Sequence, residues 1–213
     1  MTFVEMVCLL AAFTAILMIG STHLASNIQM WSLQTSLLAL VTALLAHDSL
    51  DLCLALGLFT VKALGISWFL LTIIKKVDVQ RDAGTIVRSP IAMHISIGFL
   101  AVSYILASQL PVPAEGGSGW PGATAGISLV CSGLVLMLTR RIALSQIVGF
   151  LVMENGIFLF GLTQTHGMPI LIETGVLLDV LAGVMVAGLI AFRIKKNFEH
   201  IDVSMLSELK EGW

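Results

Sequence analysis

The sequence predicts an all-α, polytopic membrane protein with seven transmembrane helices. Three observations carry this. Hydrophobic residues make up 57% of the 213 positions and charged residues 11%, with a mean hydropathy of +0.99. A water-soluble domain is nearer half apolar and a quarter charged. Apolar runs of about 20 residues, the length of a helix crossing a hydrocarbon core, recur along the chain. The basic residues fall almost entirely between alternate runs. The same numbers exclude other classes. Eleven Lys and Arg against 13 Asp and Glu leave no basic surface for a nucleic acid, and disorder requires the opposite composition.

The seven runs are Phe3–Gly20, Ile28–Ala46, Leu52–Ile74, Pro90–Leu110, Gly122–Thr139, Ile142–Gln164 and Met168–Phe192. The first reads as a membrane span, not a cleaved signal: no basic residue precedes it and Glu5 stands where a positive region would be. Lys75, Lys76, Arg81 and Arg88 follow run 3, Arg140 and Arg141 follow run 5, and Arg193, Lys195, Lys196 and Lys210 follow run 7. With alternating spans these regions share one side, which the positive-inside rule makes cytoplasmic; the N-terminus is then outside and the C-terminus inside. The segments around His47–Asp51, Pro111–Pro121 and His166–Pro169 carry no Lys or Arg.

Organisation follows from the longest of these outer segments. Residues 111–121, rich in Pro and Gly, form an external linker. It separates a four-helix part, 1–110, from a three-helix part, 122–196, and residues 197–213 form an amphipathic cytoplasmic tail. No internal repeat stands out, so the inverted-repeat plan of many transporters is not signalled. Cys8, Cys53 and Cys131 lie far apart in apolar stretches; they read as small buried hydrophobes rather than metal or redox ligands. No cofactor is therefore expected in this chain.

The eleventh basic residue breaks the pattern. Lys62 lies midway along the third run, where a charge costs about 2.5–3.5 kcal/mol. Glu154 in the sixth run and Asp179 in the seventh fall near the same depth. Three such groups together cost on the order of 8–10 kcal/mol, so they either pair or perform a function. A buried ion pair of Lys62 with one carboxylate is the structural alternative, and it leaves the second acid over. The functional alternative is a proton or ion relay. Burial disfavours the charged form of acids and amines alike, which brings two protonation states close in energy. Glu173, nearer the outer interface, and His94, near the cytoplasmic end of the fourth run, are further relay candidates. Each has a plain alternative, as an interfacial charge and a packing histidine. Gln34, Thr35 and Ser36 either orient Lys62 or bond between helices, and Gly122-x-x-x-Gly126 is a helix-packing signal.

The last three runs carry a resemblance. RRIALSQIVGFLVMENG (140–156), DVLAGVMVAGLIAFRIKK (179–196) and HIDVSMLSELK (200–210) resemble the K-type small subunit of respiratory complex I and its cation/proton antiporter relatives. Asp179 with Gly183 corresponds to that family's second acidic position. The first corresponds to Leu151, with the acid displaced to Glu154; three residues are about 4.5 Å and 300° of helix, nearly one turn. The M-E-N-G at 153–156, the acids of the seventh run and T-V-K-A-L at 60–64 resemble the hydrogenase-4 component E family, across the chain as a whole.

That resemblance implies a non-catalytic subunit of a formate hydrogenlyase-type, energy-converting complex in a bacterial or archaeal cytoplasmic membrane. The implied partners are antiporter-like subunits, a quinone-binding-like anchor subunit and a soluble hydrogenase-like arm that holds nickel–iron and iron–sulfur centres. Glu154, Asp179 and Lys62 would join an axis coupling electron transfer to H⁺ or Na⁺ movement. A purely structural adaptor and a stand-alone seven-helix transporter are the alternatives.

Overall fold

A computed structural model describes residues 2–46, 49–77, 85–110, 119–164 and Gly183. Within them the protein is helical, and Thr85 and Arg140 form an isolated antiparallel bridge. The helices are α1 (Phe3–Gly20), α2 (Leu24–Leu44), α3 (Ser49–Gly57), a π-helical segment (Leu58–Ile66), α4 (Ser67–Val77), α5 (Ser89–Ala107), α6 (Gly119–Thr139) and α7 (Ala143–Gln164). The third, π and fourth pieces form one continuous rod, since Gly57 and Ser67 at the junctions both keep helical φ and ψ. Among the described residues five stretches are long and apolar enough to cross a membrane: Phe3–Gly20, Asp51–Lys75, Ser89–Ala107, Trp120–Thr139 and Ala143–Gln164.

The second expected span is there as a helix of sufficient length, 21 residues, but it is more polar than those five. The reason lies in what it buries. Asn27, Gln34, Thr35 and Thr42 all point inward beside Trp31 and Leu38. The run Met168–Phe192, with Glu173 and Asp179, lies outside the described residues apart from Gly183, as do the tail 197–213 and most of the 111–121 linker.

Local sequence explains the helix starts. Thr2 and Glu5 form a reciprocal capping box: the Glu5 amide donates to Thr2 Oγ1 and the Thr2 amide to Glu5 Oε2. Glu5 is thus a helix cap as well as a non-basic residue. Pro90 opens α5, where its missing N–H costs nothing.

Packing centres on α6 and α7. They run antiparallel with their backbones in near contact along a seam of glycines. A Cβ on Gly126 would lie 2.7 Å from the Phe160 backbone, on Gly133 2.5 Å from Met153 N, on Gly149 2.8 Å from Met137 N and on Gly156 2.6 Å from Val130 N. Gly126 realises the packing role expected of it. The spacing from Gly126 to Gly133, and from Gly149 to Gly156, is a heptad, so small residues return to the same face of each helix and let the backbones approach. Against this pair lie α1, α2 and α5. Ser96 of α5 and Ser132 of α6 share a 2.6 Å hydrogen bond, and Met93 of α5 fills the space over Gly20 of α1.

Arg140 closes one end of the bundle. Its side chain is buried, and Nη2 donates to the carbonyls of Ile19 and Ser21 at 2.9 and 2.7 Å, and of Met18 at 3.4 Å. A cation at a helix C-terminus complements the dipole and satisfies carbonyls that lack an intrahelical donor. Read from sequence as a loop charge, Arg140 is instead an internal clamp; Arg141 is exposed. The Ile86 amide donates to Thr139 O at the same end. The segments before α5 and between α6 and α7 therefore meet on one side, together with the α1–α2 connection. Cys8 is buried as expected, whereas Cys53 is exposed and Cys131 half-buried. The outer faces of these helices are apolar, so a cysteine suits them as well as it suits the interior.

The glycine seam makes a direct prediction. Gly133→Leu or Gly156→Leu forces apart backbones already in contact and should destabilise the protein by about 1–3 kcal/mol or more. Gly98→Leu, where a Cβ meets nothing, should be neutral. Thermal unfolding of the detergent-solubilised variants would show this as a lowered Tm for the first two alone.

Candidate functional site

The site is built on three helices and four consecutive residues. The π segment places Lys62 on its buried side, and Ala63 is buried beside it. The wider π turn leaves a backbone that the α-helical pattern does not fully occupy, and such turns concentrate at functional sites. Here α2 supports it: Ser32 Oγ donates to Ala63 O at 2.7 Å. Lys62 is only 4% exposed and Glu154 1%, and Lys62 Nζ donates to Glu154 Oε1 at 2.5 Å.

Glu154 belongs to the sequence Met153-Glu154-Asn155-Gly156, whose residues step about 100° apart around α7. Each neighbour is met in turn. Met153 and Gly156, nearly one turn apart, lie against Gly133 and Val130 of α6. Glu154 reaches the π segment. Asn155 reaches α2, its Nδ2 donating to Gln34 Oε1 and Thr35 Oγ1, both at 3.0 Å. Gln34 Nε2 in turn donates to Thr14 Oγ1 at 3.1 Å and Ala11 O at 3.2 Å on α1. A buried polar network thus links α1, α2 and α7 beside the ion pair.

Of the residues expected at the site, Lys62 and Glu154 are brought together. His94 is not: it sits exposed on α5, with Nδ1 2.7 Å from the carbonyl of Pro90 in its own helix. Asp179 and Glu173 lie outside the described residues. Gln34 and Thr35 bond between helices, and Ser36 Oγ donates to Ser32 O on its own helix. Sequence reading did not single out Asn155, Ser32 or Thr14. A signal existed for Asn155, a second polar residue beside Glu154 in an otherwise apolar helix. Among the described residues no three His, Cys, Asp or Glu side chains are grouped so as to hold a metal ion.

Comparison with known proteins bears on this geometry. No family model matches the chain, and no solved structure matches it. An uncharacterized protein of Mycobacterium tuberculosis is 29% identical over 166 residues, 78% of this chain and 75% of that protein. Hydrogenase-4 component E of Escherichia coli K12 is 35% identical over 78 residues, 37% of this chain and 36% of that protein. The component E of Shigella flexneri matches equally. Over that stretch the chain is similar to hydrogenase-4 component E. It spans about a third of the length of those relatives.

The pairing can be checked by its energetics. Removing one partner of a buried ion pair strands the other charge and costs about 3–5 kcal/mol, whereas replacing both by apolar residues is often neutral. Lys62→Met and Glu154→Leu should each lower the Tm more than the Lys62→Met/Glu154→Leu double variant does, measured in the same detergent.

Proposed function

We propose that this chain is a non-catalytic, integral membrane subunit of a complex I-like, hydrogenase-type energy-converting complex, and that Lys62 and Glu154, with Asp179, form part of its relay for H⁺ or Na⁺. The observation that carries the reading is the Lys62–Glu154 pair, held between a π turn and α7 in the interior of an apolar bundle. Burying two ionisable groups costs several kcal/mol each before pairing, and inside a membrane such groups mark ion paths. The partial match to hydrogenase-4 component E supports this reading. The partners are then antiporter-like and anchor subunits of the membrane arm and a soluble arm that holds the nickel–iron and iron–sulfur centres.

In this reading the membrane part has seven spans. The five apolar helices are joined by α2, whose polar side faces inward, and by Met168–Phe192. The end gathered by Arg140 is cytoplasmic and the N-terminus external. Arg141→Cys, in a chain whose own three cysteines are replaced, should react with an impermeant thiol reagent in inside-out vesicles and not in right-side-out vesicles. Reaction from the other face would invert the topology.

A structural alternative has one specific support, the Asn155–Gln34–Thr14 network, which already ties three helices together. Glu154→Gln separates the two, since it keeps the shape and can still accept from Lys62. The relay predicts that the variant assembles with its partners, identified by mass spectrometry after gentle solubilisation of native membranes, but loses at least about tenfold in coupled ion transport, below the usual contribution of a proton-transfer group. Full coupling in that variant would leave the adaptor. Recovery of the chain alone would favour an independent transporter.

A further inference from the structure

Three buried side-chain atoms find no hydrogen-bond partner among the described residues and belong to α2 and the face of α7 that meets it: Asn27 Oδ1, Trp31 Nε1 and Asn155 Oδ1. All three residues are more than nine-tenths buried. A buried polar group without a partner costs about 1–3 kcal/mol, and a native structure rarely leaves one so.

Their register is fixed by contacts already described. Both α2 and α7 begin at the end where Arg140 and Asn27 Nδ2 bond to Ser21 O, so the two helices run the same way. Asn155 is level with Gln34 and Thr35, to which it is bonded. Asn27, Trp31 and the Gln34–Thr35 level then follow at single-turn intervals on one face of α2. The polar atoms thus recur about every 5 Å, close to the span of two hydrogen bonds of about 2.8 Å each through one water. Their chemistry suits such bridges. The indole N–H of Trp31 is a donor alone, and the amide oxygens of Asn27 and Asn155 are acceptors alone. A water accepting from Trp31 keeps two hydrogens for the acceptors on either side, directly or through a second water.

We propose that the α2–α7 interface holds a file of internal waters running from Asn27 past Trp31 to Asn155, and so ending beside Glu154. Its occupancy rests on the polar atoms alone; its use as a route into the ion pair rests on the relay reading. Along it each water accepts one proton and passes another on, and the Glu154 carboxylate takes up the last.

Radiolytic oxidation tests this. The full chain, purified from native membranes with whatever accompanies it, is exposed to millisecond X-ray pulses in water, and oxidised peptides are quantified. Hydroxyl radicals formed from internal water label adjacent side chains. Met18, buried to the same degree on α1 and comparably reactive toward the radical, is the internal reference. The waters predict Trp31 oxidation at least about fivefold faster than Met18, because water is held only where polar partners recur. They also predict a fall to the Met18 rate in Asn27→Leu, or in Asn27→Ala if the leucine variant does not accumulate. Trp31 oxidising as slowly as Met18, or at a rate these substitutions leave unchanged, overturns the proposal. Fast Trp31 oxidation in a protein that stays fully coupled with Glu154→Gln upholds the waters and removes the relay.

Discussion

An ammonium and a carboxylate in the interior of an apolar bundle can both be charged only because they face each other, and much of this structure is arranged around that constraint. Lys62 and Glu154 are 92 positions apart in the chain, so the contact depends on the whole set of helices between them. The π turn sets the lysine on the buried side, Ser32 fixes the carbonyl next to it, and the glycine seam with α6 sets where α7 lies. Solvation by water would have made the pair weak. In a low-dielectric interior the attraction is larger, and the penalty for misplacing either group is larger too.

Four adjacent residues of α7 carry three of its helix contacts. A helix turning about 100° per residue aims Met153 and Gly156 at α6, Glu154 at the π segment and Asn155 at α2. Functional and packing roles are therefore inseparable here. A change that loosens Gly156 against α6 also moves the carboxylate, and one that breaks Asn155 from Gln34 frees the same turn. Arg140 supplies the corresponding fixed point at the end of the bundle, where its side chain binds the carbonyls of Ile19 and Ser21 at the end of α1 and its own carbonyl accepts from Gln146 at the start of α7.

Much of the fold was legible because apolar runs of membrane length leave few alternatives. Phe3–Gly20 coincides with α1, and the other runs through Gln164 match helices to within a few residues, or to within a short turn at the ends of α2, the α3–α4 rod and α5. The polarity of α2 was legible residue by residue but not as a buried stripe, since Gln34 and Asn155 satisfy each other across 121 positions. The π turn left no mark in periodicity, because an apolar segment such as Leu58–Ile66 reads the same in either helical form. Arg140 shows the opposite limit. Its charge is obvious in the sequence, but whether an arginine at a turn meets water or the carbonyls of another helix is decided by tertiary packing. Lys62 and Glu154 were legible for a simple reason: an ionisable residue in mid-membrane is expensive enough to demand an explanation.

The ion pair also constrains how a relay here must work. Adding a proton to Glu154 removes the charge that stabilises Lys62, and taking one from Lys62 does the same to Glu154. Either event alone takes from the other group the opposite charge that it faces. A relay that brings a proton to Glu154 must therefore also move a charge away from Lys62. Two independent groups at the same depth would store protons without passing them on. A strict lock would need the attraction without any route to the carboxylate. In the relay reading, the polar atoms that recur from Asn27 to Asn155, one residue from Glu154, supply that route, and a lock would have no use for them.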